Sequence, residues 1–293
     1  MATKLNEALA RFSVDTLYWA GIIYSFRQKL EFLFDTTRYN KLLSNLLAQE
    51  KMDQFKCYVF EVLFAYDFES KGHKLDYEVK QLSKAQSLID FCYNLDNYKK
   101  LYFELRLINQ RNKISESIEL QLKNSDFFEI SLDGEDEKNE IARLQSLILS
   151  KCQGKDGNPI KFYDVRKGIY NIIVAYVSEL KLGMIDRYDC LLAMYGDPAV
   201  ASVYRRNVVG LYQKLPQNVP SYAKKYCDKF EHFRQAIHGV LFVKNRNGRN
   251  NRRYIDLDLE YLLVGNINLL KKQELDLIDG KLSSFLEKWT NNN

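Results

Sequence analysis

The segments Ser87-Leu-Ile-Asp-Phe-Cys-Tyr93 and Leu101-Tyr-Phe-Glu-Leu-Arg-Leu107 decide the fold. Each is short and rich in aromatic and branched residues. Between them lies Asn94-Leu-Asp-Asn-Tyr-Lys-Lys100, whose Asn and Asp side chains favour a turn. The pair therefore reads as a β-hairpin. Successive side chains of a strand point to opposite faces, so Glu104 and Arg106 share a face with Tyr102, while Phe103, Leu105 and Leu107 line the face suited to a core. With the hairpin closed, Asp90 on the partner strand comes close enough to Glu104 for both carboxylates to hold one divalent metal ion.

Working outward, Lys74 to Lys80 reads as a preceding strand that carries Glu78. From Lys56 to Ser70 the chain is apolar almost all round, and Gly72 follows as a stop, so this stretch is expected to be a helix buried against the sheet. Glu61 sits on it among Phe60, Phe64, Ala65 and Phe68. A carboxylate there is poorly hydrated and costly unless a metal, a base or a hydrogen bond compensates. An acid reaching solvent at the helix edge, or one bonded to a backbone amide, is the alternative. After the hairpin the chain is polar from Asn109 to Glu140, ending in the acidic cluster Asp133-Gly-Glu-Asp-Glu-Lys-Asn-Glu140. Such a cluster suits the first turn of the helix that follows, with Ile141, Leu144 and Leu147 or Ile148 inward and Gln145 at the edge of the stripe near Lys151.

Ile169-Tyr-Asn-Ile-Ile-Val-Ala-Tyr-Val177 is the most continuous apolar run and reads as a central strand covered on both faces. A helix is expected from Asp186 to Tyr195, closed by Gly196. Asp197-Pro198 then opens another towards Leu215, with Arg205 and Arg206, and a third covers Tyr222 to Gln235. Strands follow at Ile237 to Lys244 and within Tyr254 to Val264, and a last amphipathic helix runs from Lys272 to Trp289. Residues 1–56 read as helical, with Leu17, Ile22 or Ile23, Phe26, Leu30 and Phe34 on one stripe and a second helix from Tyr39 to Met52. The fold class is therefore α/β, a mixed central sheet flanked by helices. Its parts are a helical N-terminal extension (1–56), the core (57–265) and a C-terminal helix packed on that core (266–293).

Composition sets the outer bounds. The 293 residues are 46% hydrophobic and 28% charged, ordinary for a soluble globular protein. A net charge of +5 is compatible with nucleic acid but too modest to argue for it alone. The five cysteines form no C-x-x-C pair, which removes zinc ribbons and redox motifs and suits reduced, buried thiols in a cytoplasm. Neither a leader peptide nor a membrane span is expected, since the densest early run, Leu17 to Tyr24, is too short. No H-E-x-x-H, Walker loop, G-x-G-x-x-G or G-x-S-x-G occurs. His73, His232 and His238 are little material for a zinc or histidine-based site.

Asp90, then Glu104-Leu-Arg106, with Glu61 on a preceding helix, resembles the signature of the PD-(D/E)XK nuclease superfamily, whose fold is the restriction-endonuclease-like core. The phrases Phe60 to Ala65, Lys71 to Glu78, Ile89 to Phe91 and Tyr102 to Glu104 follow the order of helix, first strand and hairpin in that core. The resemblance implies a metal-dependent endonuclease. Asp90, Glu104 and Glu78 would hold Mg²⁺ or Mn²⁺, and Asp90, Glu104, Arg106, Glu61 and Gln145 would make up the catalytic group. The chain departs from the pattern at Arg106, where the family has lysine. A guanidinium does not deprotonate in proteins, so Arg106 can orient a phosphate or stabilise charge but cannot act as a base. A lysine arriving from elsewhere, such as Lys84 or Lys151, would complete the set. Two metal-free carboxylates repel, so Glu104→Gln is not expected to lower stability.

The loop Asn245-Arg-Asn-Gly-Arg-Asn-Asn-Arg-Arg253, with Lys244 before it, gathers Lys244, Arg246, Arg249, Arg252 and Arg253 within ten residues. Flexible cations interleaved with Asn and Gly can follow a phosphate backbone. The expected function is hydrolysis of phosphodiester bonds in nucleic acid, DNA ahead of RNA, with a homodimer or partner protein compatible with the chain. The alternative is a nuclease fold without turnover that binds nucleic acid or a protein.

Overall fold

In a computed structural model the chain is described over residues 2–10, 16–81, 87–109, 120–121, 134–178, 185–196, 208–214, 230–246 and 258–289. Helices α1 (Ala2–Ala10), α2 (Thr16–Asp35), α3 (Asn40–Ala48) and α4 (Met52–Glu69) precede strands β1 (Leu75–Val79), β2 (Ile89–Asn94) and β3 (Lys100–Leu107). Then come α5 (Gly134–Leu149), β4 (Ile169–Tyr176), α6 (Arg187–Tyr195), α7 (Glu231–Ala236), β5 (Gly239–Asn245), β6 (Leu259–Gly265), α8 (Lys272–Ser283) and β7 (Glu287–Lys288). The strands form one seven-stranded mixed sheet in sequence order. The β1–β2, β2–β3 and β5–β6 pairs are antiparallel, and β3–β4, β4–β5 and β6–β7 are parallel. The protein is thus a mixed α/β fold, its sheet flanked by helices.

Alternation along the strands divides the apolar side chains into two layers. Phe91, Phe103, Leu105, Ile172, Val174 and Tyr261 face a first core closed by α1 to α4 and α8. Tyr102, Ile173, Ala175, Val240 and Phe242 face a second core closed by α5 to α7. The 169–177 run takes the middle position of the sheet as expected, with Ile172 and Ile173 both fully buried on opposite sides. Phe64 on α4 is the aromatic centre of the first core, with ring centroids 5.6 Å from Phe91 and 5.3 Å from Phe103.

Several details differ from expectation. On α2 the inward stripe is Phe26, Leu30 and Leu33, and Phe34 is exposed, because the step after Leu30 is three residues rather than four. The helix expected through Leu215 is absent over 208–214, where Gly210 meets the Gly196 turn that ends α6. The last helix stops at Ser283, and Glu287–Lys288 adds an edge strand to β6 instead of continuing it. The segment 266–293 is therefore part of the sheet as well as a cover. Cys57 is exposed, whereas Cys92, Cys152 and Cys190 are buried as expected, and Cys227 lies outside the described residues. Among the described residues no helix is long and apolar enough to cross a membrane.

Candidate active site

The hairpin forms in the expected register. Phe91 pairs with Phe103, and the same register continued by one residue sets Asp90 against Glu104. The ladder stops there, and the Asp90 carboxylate, not a backbone carbonyl, accepts the Leu105 N–H at 2.7 Å. Alternation also breaks at this point, since Ile89 packs in the second core while Phe91 packs in the first. Asp90 therefore stands at a joint between the two layers. That lets Glu61, on the α4 side, and Glu104, on the α5 side, both act on its charge.

Glu104 is only 1% exposed, and two ammonium groups neutralise it. Lys151 Nζ lies 2.9 Å from Oε1 and Lys161 Nζ 2.6 Å from Oε2. Lys151 follows the C-terminus of α5, whose Ile141, Leu144 and Ile148 anchor it on the second core. Lys161 lies ten residues on and reaches the same carboxylate because the intervening chain doubles back. Gln153 bridges Pro159, and the Cys152 carbonyl accepts from both Ile160 N and Lys161 N. The two legs of this loop deliver the two lysines side by side. The stability expectation for Glu104→Gln is consequently corrected: Glu104 is doubly paired and not simply crowded against Asp90.

The remaining acids are less neutralised. Burial, and then the charge of Asp90, push the Glu61 carboxyl well above the ordinary carboxylate range, against the Tyr77 hydroxyl, which donates to it at 3.1 Å, and Lys151. Burial, then Glu104, raise Asp90 likewise, against Lys151, Lys161 and the Leu105 N–H. For Lys151 burial opposes the charged form, but Glu104 and Asp90 outweigh it and the pKa rises. Arg106 is half-buried, its pKa lowered by burial against the pull of Cys57, and its Nε has no acceptor among the described residues. A cation with an idle donor beside Lys151 is suited to an anionic group.

Two expected members are elsewhere. Glu78 lies opposite Asp90 across β1–β2, but its backbone takes φ +50°, which breaks the pleat, and its carboxylate pairs with Lys41 of α3. Among the described residues no group of three or more His, Cys, Asp or Glu side chains is placed to hold a metal, so Asp90, Glu104 and Glu78 do not make a three-acid site. Gln145 is buried, and its amide donates to the carbonyls of Ala193 and Val209, each at 2.8 Å. It fastens α5 to the end of α6 and the 208–214 segment, having been drawn inward by the second core rather than left at the helix edge.

In the basic loop, Lys244 lies over the Trp289 ring at 4.4 Å and 3.3 Å from Glu260, and Arg246 pairs with Glu287 at 2.7 Å. Both brace the sheet edge. Arg249, Arg252 and Arg253, like Lys84, lie outside the described residues. Lys161 was missed at the level of sequence. Its signal was the run Gly154-Lys-Asp-Gly157-Asn-Pro159, a turn-rich stretch between two lysines that folds the second back beside the first.

No family model, curated protein or solved structure matches this chain.

Proposed function

We propose that the protein is a metal-dependent nuclease of the PD-(D/E)XK type. The observation that carries this is the Lys151 ammonium on Glu104 at 2.9 Å, a lysine just past the end of the following helix beside a carboxylate pair of the hairpin. It fills in space the role that Arg106 cannot fill in sequence. Asp90 and Glu104 are hard oxygen donors on adjacent strands. Mg²⁺ is commonly held by one or two carboxylates, with water and substrate phosphate completing its shell, so the donor set fits Mg²⁺ or Mn²⁺. When bound, such an ion supplies charge neutralisation and an activated water. Beside it, Lys151 would orient a water or stabilise charge on the phosphate, Arg106 would offer its Nε to a phosphate oxygen, and Glu61, its carboxyl raised by burial and Asp90, would donate or relay a proton.

Nucleic acid as the substrate, DNA ahead of RNA, rests on the chemistry of this site and on Arg249, Arg252 and Arg253. A second reading, a nuclease fold that binds without turnover, draws on the full neutralisation of Glu104 by two lysines. The deciding assay incubates duplex DNA and single-stranded RNA with wild type, Asp90→Asn, Glu104→Gln and Lys151→Met, in Mg²⁺, Mn²⁺ or EDTA. Cleavage is expected only with the divalent ion, is lost in both acid variants, and falls by ~10²-fold or more in Lys151→Met. Cleavage in EDTA, or a Lys151→Met variant as fast as wild type, refutes the mechanism. Binding without cleavage under every condition establishes the second reading.

A further inference from the structure

Lys161 is held in place by more than its charge. The residue after it, Phe162, adopts φ +62° while its side chain is buried to 1%. A non-glycine residue in the left-handed region is strained, and such strain persists only where the surroundings over-determine it. Here they do. His232 Nε2 lies 3.0 Å from the Lys161 carbonyl, the Ser87 hydroxyl donates to the Ile160 carbonyl at 3.0 Å, and the Asp164 carbonyl accepts from Asn171 at 2.9 Å. Three contacts from different parts of the chain thus hold one short segment in a costly shape, and the result is an ammonium on Oε2 of Glu104. Simple neutralisation of Glu104 would not require it, since Lys151 already lies at hydrogen-bond distance.

A divalent ion held by Glu104 would stand close to both ammonium groups and repel them, so the site favours one lysine moving off the carboxylate. Lys151 is drawn by Asp90 as well as by Glu104, whereas the backbone of Lys161 stays held while its side chain, 18% exposed beside the exposed Ile160 and Tyr163, has room to swing its ammonium away. We propose that Lys161 is a phosphate-binding residue of this site. In the free protein it latches Glu104, and with a divalent ion held by Glu104 its ammonium would pass to a nonbridging oxygen of the phosphodiester, near Arg106. This rests on the nuclease reading above, and it assigns the two lysines different tasks: Lys151 stays with the carboxylate, and Lys161 exchanges carboxylate for substrate.

The test compares wild type, Lys161→Gln and Lys161→Arg in two measurements other than cleavage. The first is Mn²⁺ binding by calorimetry without nucleic acid. Removing a unit charge about 6 Å from a dication in a water-like medium raises affinity on the order of tenfold, so Lys161→Gln binds Mn²⁺ about tenfold tighter and Lys161→Arg close to wild type. The second is duplex DNA affinity in Ca²⁺ against salt concentration. Lys161→Gln loses about 0.9 from the logarithmic slope, one phosphate contact, and Lys161→Arg restores it. Should Lys161→Gln fail to fold, His232→Ala, which loosens the segment and keeps the ammonium, raises Mn²⁺ affinity by a smaller factor. Mn²⁺ binding to wild type with the affinity or the slope unmoved in the variants overturns the assignment and leaves the nuclease reading standing. Absence of Mn²⁺ binding in every protein overturns both.

Discussion

Glu104→Gln should destabilise the metal-free protein, and the size of the loss follows from its surroundings. The carboxylate is 1% exposed and holds ammonium groups at 2.9 and 2.6 Å. Removing one partner of a buried ion pair commonly costs about 3–5 kcal/mol, because the other charge is left without compensation. Two features reduce that here. The lysine side chains keep 24% and 18% of their surface in solvent, so they can turn outward, and the glutamine carbonyl still accepts one hydrogen bond. A net loss of about 2 kcal/mol is expected, a fall in Tm of about 4 °C for a protein of this size. Asp90→Asn should behave oppositely. Its carboxyl is raised by burial and by Glu104, and the amide oxygen can still accept the Leu105 N–H, so its Tm should equal or slightly exceed that of wild type. Thermal melts followed by circular dichroism at pH 7 in EDTA give both values. A Glu104→Gln variant that melts at or above wild type, or an Asp90→Asn variant that falls as far, would show that the lysines do not neutralise Glu104 as described.

Two further outcomes concern the frame around the site. Asp67 is buried with the Tyr261 hydroxyl donating to it at 2.8 Å, and burial raises its pKa from 3.8 to about 6. The folded state therefore holds this proton more tightly than the unfolded chain, and its contribution to stability is lost as pH rises from about 4 through 6; Asp67→Asn removes that loss, so its stability relative to wild type should improve by ~2 kcal/mol between pH 4 and pH 7. A difference that stays constant with pH in urea titrations would refute the assignment. Gly168 has φ +84°, and a Cβ there would lie 2.5 Å from the Tyr98 carbonyl, where its own carbonyl accepts the Lys100 N–H that opens β3. Gly168→Ala should cost about 2 kcal/mol, read as a lower denaturation midpoint, and an unchanged midpoint would count against the tight approach.

What the sequence determined by itself was whatever depends on short-range geometry. Alternation of side chains over a few residues is built into an extended backbone, so the hairpin, the two-sided strand at 169–177, and the pairing of Asp90 with Glu104 were legible before any contact was known. The poor hydration of Glu61 was legible for a like reason, since helical periodicity sets Phe64 and Ala65 on its side, but the Tyr77 hydroxyl and Asp90 beside it were not. Tertiary structure decided the rest. The lysines that neutralise Glu104 lie 47 and 57 residues away along the chain, and only the packing of α5 and the closure of the following loop select them. Gln145 looked like an edge residue until the second core turned it towards Ala193, and Glu78 left the row of acids because its backbone crosses into the left-handed region. A local pattern states which face a side chain takes. It holds no information about which distant charge will meet it there, because that meeting depends on loop closure and on the packing of two layers against the same sheet.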